Sequence, residues 1–377
     1  MKKQILILGN PKSWSTQAIS NEVIKAGHVS VVREPGDVFP FLSEAQGHDR
    51  IYFRSRENEK AERLFLKDID AVVSRIGSGA RYGKYVVRAF QNSGIFCANI
   101  AECIEICGDK FHTSQQLSKA RVPVPKQLLI FESKDPEEAI GLVDKKPPII
   151  CKKISGSEGR GVFVLADALS GKMALESFSD TYLVLQRFLN KNSTEKKSDI
   201  RAFTIGGETS DPEIYSYERI SRSDDPRSNF SIHHSGRPID LTEEERNMVL
   251  RAARATGGGI LGIDVIRDKD TGRPFVIEVN SNPSLAGISE VLNINIAERV
   301  VNYVLRECDR PKKNAPFYNG ITEASFDFPP SKPDNDGKKI QMLSSLIASV
   351  EKKAAKEPFS ISDFEILKML NEIKNQF

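Results

Sequence analysis

Apolar and polar positions follow three rhythms along the chain (continuous runs, period two and helical spacing), and their order predicts the elements. Residues 4–8 (QILIL) are a continuous apolar run ending in Gly9-Asn10-Pro11, the pattern of a buried strand entering a turn. Residues 15–26 carry apolar positions at helical spacing up to Gly27, and residues 28–33 return to a strand pattern. This strand-helix-strand opening predicts a parallel, doubly wound sheet. Residues 69–74 predict a later strand of that sheet. Arg75-Ile76-Gly77 then falls at its carboxyl end, where ligands of open α/β sheets bind, so Arg75 is a candidate for holding an anionic substrate. Residues 33–66 are charged and without clear periodicity, which reads as a variable insertion, and residues 82–92 predict a further helix.

Near residue 101 the organisation changes. Residues 101–106 predict a short helix, and Gly108-Asp109-Lys110 opens a longer one through Ala120. Residues 121–126 (RVPVPK) are an extended connector, followed by strands at 127–131 and 149–154. Lys152 and Lys153 stand side by side on the second of these, so one points inward and the other to solvent. A lysine inside a buried strand is costly unless it meets an anion. Residues 155–161 (SGSEGRG) separate that strand from another at 162–166; their glycines let backbone amides approach a polyphosphate. No Gly-Lys-Ser/Thr and no helix follow, so this is not a Walker A loop.

Residues 183–188 (LVLQRF) predict a strand leading into a polar, charged loop at 190–198, and Asp199-Ile200-Arg201 starts another strand through Ile205, with Gly206-Gly207 as its turn. Residues 209–238 contain Arg219, Arg222, Arg227, Asn229, His233 and His234 with little periodicity, and read as a long basic loop suited to clamping anionic groups. Thr242 with Glu245 is a capping box for a helix through Ala255, and residues 288–306 carry a further helical rhythm. Residues 311–339 shift to Pro, Lys, Asp and Asn, a linker composition. Helical patterns at 340–356 and 363–376 finish the chain, with apolar positions suited to docking on the body or on a second subunit.

The stretch with the sharpest chemistry is residues 275–287 (FVIEVNSNPSLAG). Strand alternation puts Glu278 and Asn280 on one face and Phe275, Ile277 and Val279 on the other. A second strand at 262–266 and a polar turn at 268–272 predict a hairpin in which Asp264 pairs with Glu278. Two carboxylates and an amide oxygen on one face form a hard-oxygen set suited to Mg²⁺, with phosphate oxygens and water completing the octahedron.

Composition narrows the picture further. At 377 residues the chain is long enough for two or three domains. Charged residues make up 28% and hydrophobic ones 39%, ordinary for a soluble protein, and a net charge of +3 gives no argument for direct nucleic-acid binding. No apolar run is long enough to span a bilayer, so no membrane partner and a cytoplasmic location are expected. The five cysteines form no CxxC pair and have no histidine at zinc-site spacing, so they read as reduced and mostly buried.

In order, then, the chain has an α/β lobe, Asp109-Lys110 before a helix, Lys152 on a strand, a Gly/Ser loop, Gln186, Asp199-Ile200-Arg201, Asp264, Glu278 and Asn280. This resembles the ATP-grasp superfamily and, within it, the RimK-like glutamate ligases, through GDKFHTSQQLSKARVPVP, DIRAF, GGILGIDVIRD and IEVNSNPSLAG; the likeness covers about residues 69–305. The resemblance implies an α/β and α+β ATP-grasp fold. Its expected parts are an N-terminal doubly wound domain (1–100), a small central lobe (101–182), a metal-binding C-terminal lobe (183–310) and a linker with a helical tail (311–377).

It also implies ATP and Mg²⁺, two ions with Mn²⁺ able to substitute, and assigns roles to residues. Lys110 and Lys152 contact phosphates, together with the loop of Ser155, Gly156, Ser157, Gly159 and Gly161. Gln186, Arg187, Phe188 and Leu189 hold the adenine edge, and Asp199 belongs to the nucleotide site. Asp264, Glu278 and Asn280 are the metal ligands. Arg201 and Arg227, with Lys152, are catalytic, while Arg75, Asn229 and Ser284 face the substrate. Two positions depart from the family pattern: Arg187 stands where a Glu is usual, and Ser284 where a Gly is usual. The implied reaction is ATP-dependent amide formation through an acyl phosphate, adding glutamate or another amino acid to a peptide or protein. Alternatives are a ligase acting on small molecules and a nucleotide-binding interaction module with little turnover.

Overall fold

A computed structural model describes residues 2–41, 50–54, 61–64, 68–77, 81–131, 136–145, 147–156, 161–177, 181–191, 198–221 and 234–309. The chain opens with β1 (Gln4–Gly9), α1 (Trp14–Lys25) and β2 (Val29–Arg33). Strands β3 (Val38–Phe41), β4 (Arg50–Arg54) and β5 (Ala61–Leu64) follow, then β6 (Ala71–Arg75), α2 (Arg81–Asn92) and β7 (Phe96–Cys97). Strands β2-β1-β6-β7 form a parallel sheet. Continuous apolar runs such as β1 suit it because both faces are covered: Ile5 and Ile7 pack with Ile19 and Val23 of α1, while Leu6 and Leu8 pack with Val86, Val87 and Phe90 of α2. The segment expected as an unpatterned insertion contains the small antiparallel sheet β3-β4-β5. Val38 and Ile51 give it an apolar side on the α2 face, and the flanking charges hid that alternation.

Helices α3 (Ala101–Gly108) and α4 (Lys110–Lys119) lead to a second sheet made of β8 (Gln127–Ile130), β9 (Ile149–Lys153), β10 (Val162–Leu165) and β11 (Leu183–Arg187). Its order is β10-β9-β11-β8, all antiparallel. Helices α5 (Pro136–Val143) and α6 (Ala168–Ser177), not anticipated from the sequence, interrupt these strands, and Ala139, Ile140 and Val143 of α5 cover its apolar face.

The third sheet holds β12 (Ser198–Ile205), β13 (Glu213–Ser221), β14 (His234–Pro238), β15 (Ile260–Arg267) and β16 (Pro274–Asn280), with α7 (Glu243–Thr256) between β14 and β15. Its order is β14-β13-β12-β15-β16. The expected basic loop at 209–238 is therefore corrected: β13 and β14 occupy its two ends, pairing antiparallel with each other. The chain continues through α8 (Ala286–Leu292) and α9 (Ile296–Cys308). These replace the single helix expected at 288–306, because Asn293 takes a left-handed backbone and ends the first. Val300, Val301, Tyr303 and Val304 of α9 then pack under the parallel sheet beside Ile5 and Ile7. No helix among the described residues is long and apolar enough to cross a membrane.

Candidate active site

The acidic row grows directly from strand register. Arg201 on β12 lies opposite Asp264 on β15, and Asp264 lies opposite Glu278 on β16, so three charged side chains cross three adjacent strands on one face. The expected hairpin pairing is observed, with a bulge just after Asp264. Asn280 pairs with Gly262, and its side-chain oxygen accepts the amide of Asn282 at 2.8 Å.

Arg201 and Arg219 bracket Asp264. Arg201 Nε and Nη2 donate to its two carboxylate oxygens at 2.5 and 3.1 Å, and Arg219 Nη2 lies 2.9 Å from Oδ2. Arg219 also donates Nε to Asp199 Oδ1 at 2.9 Å and Nη2 to Asp199 Oδ2, its register partner on β12. Burial opposes charge in all three groups, but with different outcomes. Burial pushes Asp199 up, and the nearby Asp264 adds to that, against the pull of Arg219. In Asp264, burial is outweighed by Arg201 and Arg219, which hold it below the usual carboxylate range. Burial is outweighed in Arg219 as well, where Asp264 and Asp199 hold it well above the ordinary arginine value. Arg219 was assigned no individual role from the sequence. The alternation of EIYSYERIS over 213–221 was the signal that would have put it on a strand facing Asp199.

The opposite side of the cleft comes from β9 and the start of α4. Asp109 caps α4 by accepting the amides of Phe111 and His112 at 2.9 and 2.8 Å. That fixes Lys110 at the first helical position, where its amide donates to Ile154 O at 2.9 Å and its ammonium to Gly156 O at 2.7 Å. Lys110 is thereby tied to the mouth of the Gly/Ser loop. Lys152 turns into the cleft: burial lowers its pKa to about 8, Glu278 and Asp264 pull it upward, and Lys110 pushes it down. Lys153 takes the other face, where its stem lies against Gly161, whose φ of +81° needs glycine.

At the hinge, Gln186 is buried within β11 and the Arg187 amide donates to Lys126 O at 2.8 Å. The Arg187 side chain reaches back to buried Asp268, 3.4 Å away in the β15–β16 turn. Leu189 is buried, and Ser155 is exposed at the end of β9. Arg75 is not a surface residue. It is buried at the end of β6 and donates Nη2 to Pro283 O at 2.8 Å, which places it beside Ser284, itself exposed. Ser157, Gly159, Arg227 and Asn229 lie outside the described residues, as do Arg222 and His233.

The donor set suits a hard divalent cation. Asp264 offers about four lone-pair directions. Arg201 takes one on each oxygen and Arg219 a second on Oδ2, so one on Oδ1 remains. Glu278 is its direct cross-strand neighbour and Asn280 follows on the same face. All are oxygen donors, the chemistry Mg²⁺ requires.

Residues 107–304 match the RimK-like ATP-grasp domain, and residues 3–104 match the RimK PreATP-grasp domain. A Haemophilus influenzae protein named probable alpha-L-glutamate ligase is 29% identical over 307 residues, which is 80% of this chain and 97% of that protein. The ATP-grasp ligase PsnB, solved with a phosphomimetic variant of its minimal precursor, Mg and ADP, has a TM-score of 0.60 at 16% identity, covering 81% of this chain and 99% of its own. A Chryseobacterium gregarium RiPP-associated ATP-grasp ligase, in complex with ADP and a leader and core peptide, has a TM-score of 0.58 at 16% identity, covering 83% and 98%. Sheet order, cleft chemistry and domain matches agree, and the chain belongs to the RimK-like ATP-grasp family.

Proposed function

We propose that this chain adds glutamate, or another α-amino acid, to a carboxylate at the end of a peptide or protein. As a RimK-like ATP-grasp protein it is an ATP-dependent acid–amino-acid ligase. In the proposed reaction the acceptor carboxylate attacks the γ-phosphate of ATP, the bond to the β-phosphate breaks, and ADP leaves with its electron pair. The incoming amine then attacks the acyl carbon, an amide forms, and inorganic phosphate departs as the amine loses a proton. Such transfer depends on positioning and charge neutralisation more than on a protein nucleophile.

The observation that carries the reading is the meeting of two basic with two acidic side chains: Lys110 of α4, bonded to Gly156 O just past β9, and Lys152 of β9 stand against Asp264 and Glu278, which are cross-strand partners on β15 and β16 and act on Lys152. Lys110 and Lys152 neutralise phosphate oxygens. Arg201, whose Nη1 is not spent on Asp264, faces the transferred group. Asp264, Glu278 and Asn280 would hold Mg²⁺, which supplies neutralisation of phosphate charge when bound. A peptide or protein acceptor is favoured over a small molecule because PsnB and the Chryseobacterium ligase were solved with peptides.

The test is mass spectrometry of a cell extract incubated with the protein, ATP, Mg²⁺ and labelled glutamate. A protein or peptide gaining the label is the expected result, and label only in small molecules would overturn the acceptor assignment. Glu278→Ala is expected to abolish ADP release while keeping the native circular dichroism spectrum. Unchanged turnover in that variant would remove Glu278 from the metal set.

A further inference from the structure

We infer that Arg75 and the polar atoms around it form the pocket for the incoming α-amino acid, with Arg75 and Thr16 on its carboxylate and Asn282 on its amine. This rests on the ligase reading, and it names residues from the parallel-sheet lobe that the cleft chemistry does not use.

Arg75 is only 9% exposed, and among the described residues its only hydrogen bond goes to Pro283 O at 2.8 Å. Nε is buried without a partner, and no carboxylate among the described residues pairs with the guanidinium. A buried arginine has five donors to satisfy and is costly to leave without an anion. Its pKa falls to about 10 through burial alone, with no acidic neighbour drawing it back.

Other unsatisfied polar atoms lie on the two segments that meet Arg75, the start of α1 and the loop that carries Pro283. Thr16 Oγ1, Ser281 Oγ and Asn282 Oδ1 are buried and unpaired. Thr16 and Arg75 flank the same glycine: a Cβ on Gly9 would stand 2.7 Å from Arg75 Cβ and 3.2 Å from Thr16 Oγ1. Thr16 also lies in the first turn of α1, a twelve-residue helix whose N-cap Ser13 makes no side-chain cap, so helix amides and their dipole favour an anion there.

The loop carrying Ser281 to Leu285 is fastened over this spot. Asn99 Nδ2 donates to Ser281 O at 2.7 Å, and the Leu285 amide donates to Ser15 Oγ at 3.1 Å. The same loop reaches the reaction centre, because a Cβ on Gly262 would meet Pro283 Cβ at 2.9 Å and Arg201 Nη1 at 3.0 Å. The pocket therefore adjoins the arginine that faces the transferred phosphoryl group. Two donors for a carboxylate and one acceptor for an amine match an α-amino acid, whose amine would be presented toward the acyl phosphate.

The experiment uses the full chain with L-glutamate and its α-amide, which keeps the amine and side chain but lacks the α-carboxylate. Steady-state kinetics are paired with calorimetry of each amino acid in the presence of Mg²⁺ and a non-hydrolysable ATP analogue. Arg75→Gln should raise the KM for glutamate by about 30-fold or more, the scale of losing one buried charged partner, and remove the preference over the α-amide. Affinity for the ATP analogue should stay unchanged. Thr16→Val should raise the same KM several-fold (~3 to 10) without lowering the melting temperature, since it deletes a hydroxyl that has no partner to lose.

Equal KM increases for glutamate and its α-amide in Arg75→Gln would mark a structural clamp and overturn the inference. So would unchanged KM values in both variants. If no acceptor gives an amide product, the ligase reading fails separately; Arg75-dependent calorimetric binding of glutamate would still support the pocket, and absence of any such binding to the unmodified chain would overturn it.

Discussion

At the residue scale, Gly262 shows how the site depends on an atom that is missing. It lies opposite Asn280, and Arg201 Nη1 and Pro283 Cβ close over it at distances a Cβ would bring to 3.0 and 2.9 Å. Neither neighbour can move freely. Arg201 is held twice by Asp264, and Pro283 sits in a loop tied down by Arg75. Gly262→Ala should therefore cost ~1–3 kcal/mol of stability. It should lower kcat about tenfold, equivalent to ~1.4 kcal/mol of misplacement. ADP-release kinetics beside a thermal melt check this, and a native kcat would show that Arg201 tolerates displacement.

Residues of this kind divide sharply in how legible they are. The pairing of Asp264 with Glu278 was readable because period-two alternation and a short polar turn leave little freedom in a hairpin. The choice between Lys152 and Lys153 needed the family resemblance, since alternation alone says only that they part. Gly262 and Arg75 take their meaning from partners 20 to more than 200 residues away, and no local pattern encodes those contacts.

At the scale of elements, α7 shows a signal that was fully local and a stabilising pair that was not. Thr242 and Glu245 form the expected capping box: Thr242 Oγ1 accepts the Glu245 amide at 3.2 Å, and Glu245 Oε2 accepts the Thr242 amide at 2.9 Å. The same carboxylate also receives Arg267 of β15 at 2.6 and 2.8 Å, locking helix to sheet. Burial alone would raise the Glu245 pKa, but Arg267 and the Thr242 amide outweigh it and the net shift is downward. A lowered carboxylate pKa stabilises the fold fully above the unfolded value near 4.5, and that contribution is lost as pH falls through the lower folded value. Arg267 is partly solvent-exposed, so the ion pair contributes under ~1 kcal/mol, and the cap adds ~1 kcal/mol. Glu245→Gln keeps an oxygen for the Thr242 amide and loses the charge that holds Arg267, so it should cost up to ~1 kcal/mol at pH 7, with the gap to the unmodified chain narrowing below about pH 4.5. Urea denaturation across that range tests it, and a gap independent of pH would mean the carboxylate charge contributes nothing. The strands β13 and β14 were harder to anticipate than α7 because the arginines among them resembled a solvated loop. Only Asp199, its register partner, and Asp264 on the next strand but one explain why Arg219 is largely enclosed.

At the scale of the whole molecule, the last described helix is part of the core, and the family domain match ends within it. The domain matches end at residue 304, and the Haemophilus relative is covered over 97% of its length by 307 aligned residues. Helix α9 packs Val300, Val301, Tyr303 and Val304 against the parallel sheet, all of them essentially inaccessible to solvent. Its end is joined to the start of the chain by an ion pair between Lys3 and Asp309. A chain ending after Asp309 retains every described residue of the cleft together with this closing helix. It should melt within a few degrees of the full chain, as expected when under ~1 kcal/mol is lost, and release ADP at a similar rate. A chain ending at Asn295 removes α9 and strips apolar cover from Ile5 and Ile7; losing several buried aliphatic side chains, each contributing ~1.5–3 kcal/mol, should prevent folding. Thermal melts and ADP release on the two truncations test this division. If ending the chain after Asp309 costs more than tenfold in ADP release, residues 310–377 are part of the catalytic unit, and the boundary read from the family matches lies too early.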